Sequence, residues 1–225
     1  MDAPPPTTAL VVAGGDPLPA TVARRLPGED ALVVAADSGV EHALALGRRV
    51  DLVVGDFDSA DPVVVEQVAA TGAEIERHPE AKDQTDLELA LRAAQARGAT
   101  RIVVAGGYGG RLDHFLANAL ALAGPAVDGV AVEWVTGDAL ITVVRAYGEI
   151  TGRPGDLCSL LAVGGPARGV RTRGLRYPLA REDLEPGSTR GVSNELTERT
   201  AEVWVEHGTV LAIQPDPESS HAEGT

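Results

Sequence analysis

The 225-residue sequence has a single cysteine, Cys158. No intrachain disulfide can form, no metal site can rest on sulfur, and one buried thiol suits a reducing cytosol. Lysine is equally scarce: of 19 basic residues only Lys82 is a lysine. That bias reflects genome composition, or else it marks a place that needs a compact ammonium. Aromatic residues make up 3% of the chain, two Trp, three Tyr and two Phe, so few rings are on hand to stack on a ligand. Basic charge falls short, 19 residues against 33 acidic ones, for a formal net charge of −14. A polyanion would be repelled unless a basic patch or a metal ion intervened, which argues against a nucleic-acid or anionic-membrane partner. No stretch approaches the ~18 apolar residues of a membrane span, and Met1-Asp2-Ala3-Pro4-Pro5-Pro6 lacks the features of a secretory signal. The expected location is the cytoplasm.

What is present is ordinary globular composition, 44% hydrophobic and 23% charged, enough for one large domain or two modest ones. Apolar runs without alternation at Leu10–Ala13, Ala31–Ala36, Leu52–Val54 and Ile102–Ala105 read as strands covered on both faces. Helical patterns near Leu18–Leu26, Gly39–Leu46, Pro62–Thr71, Thr85–Arg97 and Arg111–Ala123 alternate with them. This is the layout of a parallel sheet flanked by helices. From about Tyr147 helical periodicity stops, Gly and Pro recur, and short strand-like runs such as Ala201–Val205 and Thr209–Ile213 follow. The reading is an α/β domain over residues 1–146, an all-β domain over 147–214 and a disordered tail over 215–225. Trp204, on an alternating strand, is expected in the core.

Several acidic residues stand where a buried strand ends. Asp37 follows the second apolar run, and Asp56 and Asp58 follow Leu52-Val53-Val54-Gly55. In open α/β sheets ligands bind at that edge. Asp56 and Asp58 flank Phe57, so in extended chain both carboxylates point one way while Phe57 faces the core. Each alone fits a turn or cap residue. Together they repel unless a hard cation sits between them, and oxygen ligands of this kind suit Mg²⁺.

Two more segments carry chemistry. Lys82-Asp83-Gln84-Thr85-Asp86 opens an amphipathic helix on which Glu88 and Arg92 are spaced as an ion pair. Asp83 can serve as N-cap with Asp86 three residues on, and Asp86 can also serve the metal while Lys82 takes a phosphate. Gly106-Gly107-Tyr108-Gly109-Gly110-Arg111-Leu112-Asp113-His114 joins a strand to a helix through a loop whose backbone can approach phosphate closely. Arg111 can clamp a phosphate, and Asp113 can orient it or accept a hydrogen bond from substrate. On that helix Leu112, Phe115, Leu116, Ala119 and Leu120 form an apolar face, and Arg111, His114 and Asn118 fall on another.

Taken in order, Asp37-Ser38-Gly39, Gly55-Asp56-Phe57-Asp58-Ser59, Lys82-Asp83-Gln84-Thr85-Asp86, Gly109-Gly110-Arg111-Leu112-Asp113-His114 with Leu116-Ala117-Asn118, and Ser193-Asn194-Glu195 resemble the motif series of thiamine pyrophosphokinases. The resemblance runs from about Val11 to Ile213. It departs at Ser38, where the family more often has a second glycine, and at Val40-Glu41-His42, where Ala-Asn-Arg is usual. It implies an α/β Rossmann-like catalytic domain, a β-sandwich carboxyl-terminal domain and a homodimer with active sites at the interface. The implied reaction moves a pyrophosphoryl group from ATP to the hydroxyl of thiamine, giving thiamine diphosphate and AMP. By position, Asp37, Asp56, Asp58 and Asp86 would hold Mg²⁺ and the phosphates, and Lys82, Asp83, Gly109, Gly110, Arg111, Asp113 and His114 would complete the nucleotide side. Ser193 and Asn194 would lie near thiamine. Of these, Asp56, Asp58, Asp86, Arg111 and Asp113 would carry catalysis.

Competing readings remain at this stage. The aspartates serve the donor, so a pyrophosphokinase acting on another hydroxymethyl heterocycle, such as a pterin, fits them too. A nucleotide sensor without catalysis would also bind ATP. A dinucleotide-dependent dehydrogenase fits poorly, because Ala13-Gly14-Gly15-Asp16-Pro17 lacks the Gly-x-Gly-x-x-Gly spacing.

Overall fold

Apolar runs that cannot face water set the architecture. The structure is a computed structural model and describes residues 7–216. It is a mixed α/β protein that divides between Gly137 and Asp138 into two compact units.

The first unit holds β1 (Thr8–Ala13), β2 (Leu32–Ala36), α1 (Gly39–Ala45), β3 (Leu52–Gly55), α2 (Pro62–Ala70), β4 (Glu74–Arg77), α3 (Asp86–Ala96), β5 (Arg101–Ala105), α4 (Leu112–Ala121) and β6 (Ala131–Val135). The strands are parallel and lie in the order β4-β3-β2-β1-β5-β6. The chain leaves β1 toward β2 on one side and reaches β5 on the other. That reversal opens a crevice at the carboxyl ends of β1 and β5. Leu10, Val11, Val12, Val34, Leu52, Val53, Ile102 and Val103 are fully buried, as expected of strands covered on both faces.

Four of the five expected helices form within a few residues of their sequence limits. The exception is Leu18–Leu26, which gives only a 3-10 turn at Ala20–Arg25 with Pro19 as its uncapped N-cap. Two strands carried no apolar run and escaped the sequence reading. Strand β4, Glu-Ile-Glu-Arg, is short and polar because it lies at the sheet's edge, and β6 is broken by Glu133.

Helix α3 turns Leu87, Ala90, Leu91 and Ala94 inward, and Glu88 pairs with Arg92 at 2.8 Å as its spacing predicts. Its N-cap is Thr85 rather than Asp83: the Thr85 hydroxyl accepts from the Glu88 N–H at 3.2 Å. Glu88 then occupies the third helical position, its carboxylate taken by Arg92. Asp86 becomes the first helical residue, its carboxylate free for other work. On α4 the apolar face is not covered in the chain by itself: Leu112, Leu116 and Leu120 are exposed by 69%, 53% and 58%. Asn118, assigned to the polar face from sequence, is the helix's buried residue.

The second unit holds β7 (Ala139–Val144), β8 (Tyr147–Thr151), β9 (Leu157–Arg173), β10 (Ala180–Leu184), β11 (Asn194–Glu195), β12 (Thr200–Trp204) and β13 (His207–Pro215). All pairings within it are antiparallel. It begins ahead of the textural change at Tyr147 because β7 pairs with β13. Strand β9 belongs to two groups of strands: residues 159–163 pair with β13, and residues 167–173 with β10 and β12. Leu160, Val170, Ile150, Val203 and Val210 close one core between them, with Cys158 inside it. Pro215, expected in the tail, ends β13 opposite Ala139; the rest of the tail, from residue 217, lies outside the described residues. Trp204 is not core. It stands half-buried beneath the Arg171 guanidinium, 4.1 Å from its ring centre, and beside Tyr147.

If Thr85 caps α3, Thr85→Ala costs about 1 kcal/mol of unfolding free energy in urea titration, and Thr85→Ser regains most of it.

Candidate functional site

Strand ends gather the acidic residues. Asp37 lies one residue beyond β2 in the left-handed region, φ 47°, and its N–H donates to Val54 of β3 at 2.9 Å. Its side chain is therefore carried toward the end of β3, where Asp56 and Asp58 follow. The link between those two is not extended chain, as spacing suggested. Phe57 is also left-handed, φ 65°, and its ring lies under the Arg77 guanidinium at 4.5 Å rather than in the core. Arg77 Nη1 donates to the Asp56 carbonyl at 3.0 Å, and the Asp58 N–H donates to Asp56 Oδ1 at 3.3 Å. Left-handed backbone at the bulky Phe57 is strain of about 1–3 kcal/mol, held here by arginine contacts, whereas aspartate adopts that region more readily.

The outcome is convergence. One carboxylate oxygen from each of Asp37, Asp56 and Asp58 lies within 4.8 Å of the others. Asp86 joins from α3: a Cβ on Gly55 would stand 3.2 Å from Asp37 Cβ and 3.3 Å from Asp86 Oδ1, so that glycine leaves room where the two acids meet. Lys82 Nζ bridges Asp56 Oδ2 at 2.6 Å and Asp86 Oδ1 at 2.8 Å.

The electrostatics are those of an unfinished site. Burial, reinforced by the charges of Asp86, Asp58 and Asp56, pushes the Asp37 carboxyl above its ordinary range. Among the described residues, Asp37 Oδ1 is buried without a hydrogen-bond partner. Asp56 is held low, chiefly by its hydrogen bond from Lys82. Burial works against the Lys82 charge, but Asp56 and Asp86 outweigh it and hold the ammonium above its usual range. One ammonium does not balance four carboxylates. Two ligands on one Mg²⁺, each at about 2.1 Å, sit at most ~4.2 Å apart. A span of 4.8 Å reaches that with small side-chain rotations. The donor set and the orphaned oxygen both fit a hard divalent cation.

Other sequence-derived candidates lie apart from this cluster or are otherwise engaged. Arg111 and Asp113 face solvent and grip each other, Nε to Oδ1 at 3.2 Å and Nη2 to Oδ2 at 2.6 Å. That contact holds the Asp113 carboxyl down at about 2. His114 is exposed on the next residue of α4, and Asp83 is exposed in the turn before α3. Gly109 and Gly110 are both left-handed, φ 86° and 67°, at the mouth of the crevice between β1 and β5.

In the second unit Ser193 is exposed and left-handed, φ 55°. Asn194 is buried and fully occupied: Nδ2 donates to the Tyr177 carbonyl at 2.8 Å, and Oδ1 accepts from the N–H groups of Tyr177 and Glu195 at 3.0 and 2.9 Å. Asn194 is thus a clamp on the Tyr177 turn, which leaves that ring 53% exposed. Cys158 is no nucleophile, its thiol pushed up to about 12 by burial. A cavity of about 320 Å³ in this unit, walled by Ala146, Arg171, Arg181, Trp204 and Glu206, contains none of the site residues named from sequence.

Sequence reasoning missed Arg77 and Asp16. Arg77 sits on the unrecognised strand β4. Asp16 ends the loop after β1, and its carboxylate packs so closely on Gly109 that a Cβ there would come within 2.1 Å of it. Its signal was position alone, a carboxylate just past a buried strand.

Two family models match the chain. Residues 23–132 match "Thiamin pyrophosphokinase, catalytic domain", and residues 144–210 match "Thiamin pyrophosphokinase, vitamin B1 binding domain". Thiamine pyrophosphokinase of Bacillus subtilis (strain 168) is 27% identical over 212 residues, covering 92% of this chain and 98% of that protein. Thiamine pyrophosphokinase 1 of Oryza sativa subsp. japonica is 27% identical over 174 residues, 72% of this chain; the match spans 65% of the rice protein. The crystal structure of thiamin pyrophosphokinase from Geobacillus thermodenitrificans superposes with a TM-score of 0.78 at 29% identity, covering 95% of this chain and 99% of that one.

The cluster predicts how stability depends on metal and pH. Asp37 binds its proton more tightly in the folded chain than in the unfolded one, so its own contribution to stability falls as pH rises from its ordinary value of 3.8 through the raised one. A divalent cation competes with that proton. Mg²⁺ is therefore expected to raise Tm at neutral pH, with the increment fading as pH drops through the Asp37 titration. Asp37→Asn is expected to raise the metal-free Tm by roughly 2–4 °C and to abolish the Mg²⁺ response in thermal unfolding.

Proposed function

The chain belongs to the thiamin pyrophosphokinase family, and we propose that it is an enzyme that transfers a pyrophosphoryl group from ATP to the hydroxyl of thiamine, giving thiamine diphosphate and AMP in the presence of Mg²⁺. The observation that carries this reading is the convergence of Asp37, Asp56, Asp58 and Asp86, with an unpartnered buried oxygen on Asp37. Carboxylates so placed are held ready for a cation that brings phosphate with it.

In the proposed mechanism Asp37, Asp56, Asp58 and Asp86 would hold Mg²⁺. The bound metal would neutralise charge on the phosphate oxygens as it develops. Lys82, which spans Asp56 and Asp86, would offer its ammonium to the phosphates. Gly109 and Gly110 offer backbone N–H groups beside the start of α4, where the helix terminus favours negative charge. Arg111 exchanges Asp113 for a phosphate, a swap that costs little because both side chains already face water. Asp83 and His114 border the same nucleotide. The thiamine hydroxyl oxygen bonds to the β-phosphorus as that phosphorus parts from the α–β bridging oxygen, AMP leaves with the bridging oxygen and the hydroxyl proton is released to solvent, a displacement that depends mostly on positioning and charge neutralisation.

Residues 7–137 form the catalytic part in this reading. The rest, a small β-sandwich, takes thiamine beside Ser193, with Asn194 fixing the turn that displays Tyr177. Thiamine is itself cationic, so the net charge of −14 favours its approach. The working form is a cytoplasmic homodimer with active sites at the subunit interface. The exposed leucines of α4 are surface that such an assembly can cover.

The decisive assay follows AMP and thiamine diphosphate from thiamine, ATP and Mg²⁺, with a no-metal control and a hydroxymethylpterin as alternative acceptor. Thiamine-dependent AMP release that vanishes without metal is the expected result. ATP binding with no thiamine-dependent turnover would instead indicate a sensor. Asp56→Asn is expected to lower kcat by about a hundred-fold or more while leaving the circular dichroism spectrum unchanged.

A further inference from the structure

The glycine turn after β5 is held from inside the protein. Trp134 of β6 is fully buried, and its indole Nε1–H donates to the Gly106 carbonyl at 2.6 Å. Asn118 of α4, also buried, donates through Nδ2 to the Gly107 carbonyl at 3.1 Å. Two backbone bonds tie this turn to the one after β1: the Gly107 N–H to the Gly14 carbonyl at 2.7 Å, and the Asp16 N–H to the Tyr108 carbonyl at 2.8 Å. Phe115 links the aromatic groups, its ring centre 5.5 Å from that of Trp134 and 5.4 Å, edge-on, from that of Tyr108. The fit leaves little slack. A Cβ on Gly106 would come within 2.3 Å of the Ala13 carbonyl oxygen, and one on Gly107 within 3.0 Å of Asn118 Nδ2.

The hydrogen-bond pattern has a sign. Three consecutive carbonyls, those of Gly106, Gly107 and Tyr108, are taken by protein donors. The N–H groups of the next two residues, Gly109 and Gly110, meet no protein acceptor among the described residues. A turn with its acceptors consumed and its following donors open presents N–H groups to an incoming phosphate oxygen, with the Asp16 carboxylate packed against Gly109 on one side.

We propose that Trp134 and Asn118 are positioning residues for the nucleotide: by holding the carbonyls of Gly106 and Gly107 they fix the aim of the Gly109 and Gly110 N–H groups at the phosphates. The inference rests on the reading of ATP as donor. Neither side chain touches the reacting atoms. Each acts through the backbone, as outer-shell partners orient the ligands of a metal.

Trp134→Phe keeps a ring in the core and removes the donor. Asn118→Asp keeps the shape and turns an acceptor toward the Gly107 carbonyl. In both, KM for ATP is expected to rise about ten-fold with KM for thiamine changed less than about two-fold. Trp204→Phe, an equivalent change on the other unit, is expected to leave both unchanged. A structural role alone would lower kcat and Tm without this split, so variants with wild-type KM for ATP would overturn the inference. The wild-type enzyme in the same assay separates the two failures: if it forms no AMP from ATP and thiamine, the functional reading falls and the inference with it. Should Trp134→Phe not fold, Trp204→Phe leaves Trp134 as the sole indole. Saturating Mg·ATP, its binding verified by calorimetry, is expected to shift that indole's emission, and an unchanged spectrum would overturn the proposal.

Discussion

Repulsion among like charges is the constraint on which the structure turns. Two carboxylates about 4 Å apart oppose each other by about 4 kcal/mol at an effective dielectric constant of 20. This fold draws four into one neighbourhood, with a single lysine between two of them. Such an arrangement persists because backbone geometry brings the side chains together. Parallel pairing supplies most of that geometry: Asp37 is tied to β3 through Val54, and Asp56 is tied to β4 through Arg77. The left-handed backbone at Asp37 and Phe57 is the local consequence. Strain and repulsion occur at adjoining residues, the usual mark of a site whose energetic deficit is met by a ligand.

Much of this was legible from residues alone, because buried parallel strands have a simple signature and their carboxyl ends can be read off it. Asp37, Asp56 and Asp58 were picked on that ground and Asp86 from the start of an amphipathic helix, and they do come together. The boundaries of the apolar runs sufficed, since an unbroken run of Val, Leu and Ala in a parallel sheet admits one orientation of its ends. What failed depended on competition among neighbours. Thr85 and Asp83 are both good caps, and only the phase of α3 decides for Thr85. Strand β4 is too short and too polar to register, so Arg77 was invisible as a support for the aspartates.

Polar side chains near a motif divide into two kinds that sequence cannot separate. Asn194 and Asn118 both sit in motifs that suggest ligand contact, and both are buried with their amide groups spent on backbone. Their work is to shape the turns at Tyr177 and Gly107. Trp134 is of the same kind, an apparent core residue whose one polar atom is committed to a glycine carbonyl. Arg111 and Asp113 are the opposite case. Fully exposed and paired with each other, they form a contact that water screens strongly, and so stay available to an incoming charge.

The valences left open by these commitments define the ligand better than any single residue does. At the carboxyl edge of the parallel sheet, Asp37 Oδ1 is buried without a partner among acids, which calls for a cation. Along that edge, after β5, the N–H groups of Gly109 and Gly110 follow three carbonyls that are already bonded, which calls for an anion. A free phosphate would meet the second demand and be repelled by the first, and a bare metal ion would do the reverse. A polyphosphate carrying a divalent cation satisfies both at once. In the proposed function the strongly acidic chain is therefore no obstacle to a nucleotide substrate, because the carboxylates that would repel it would recognise the metal that accompanies it.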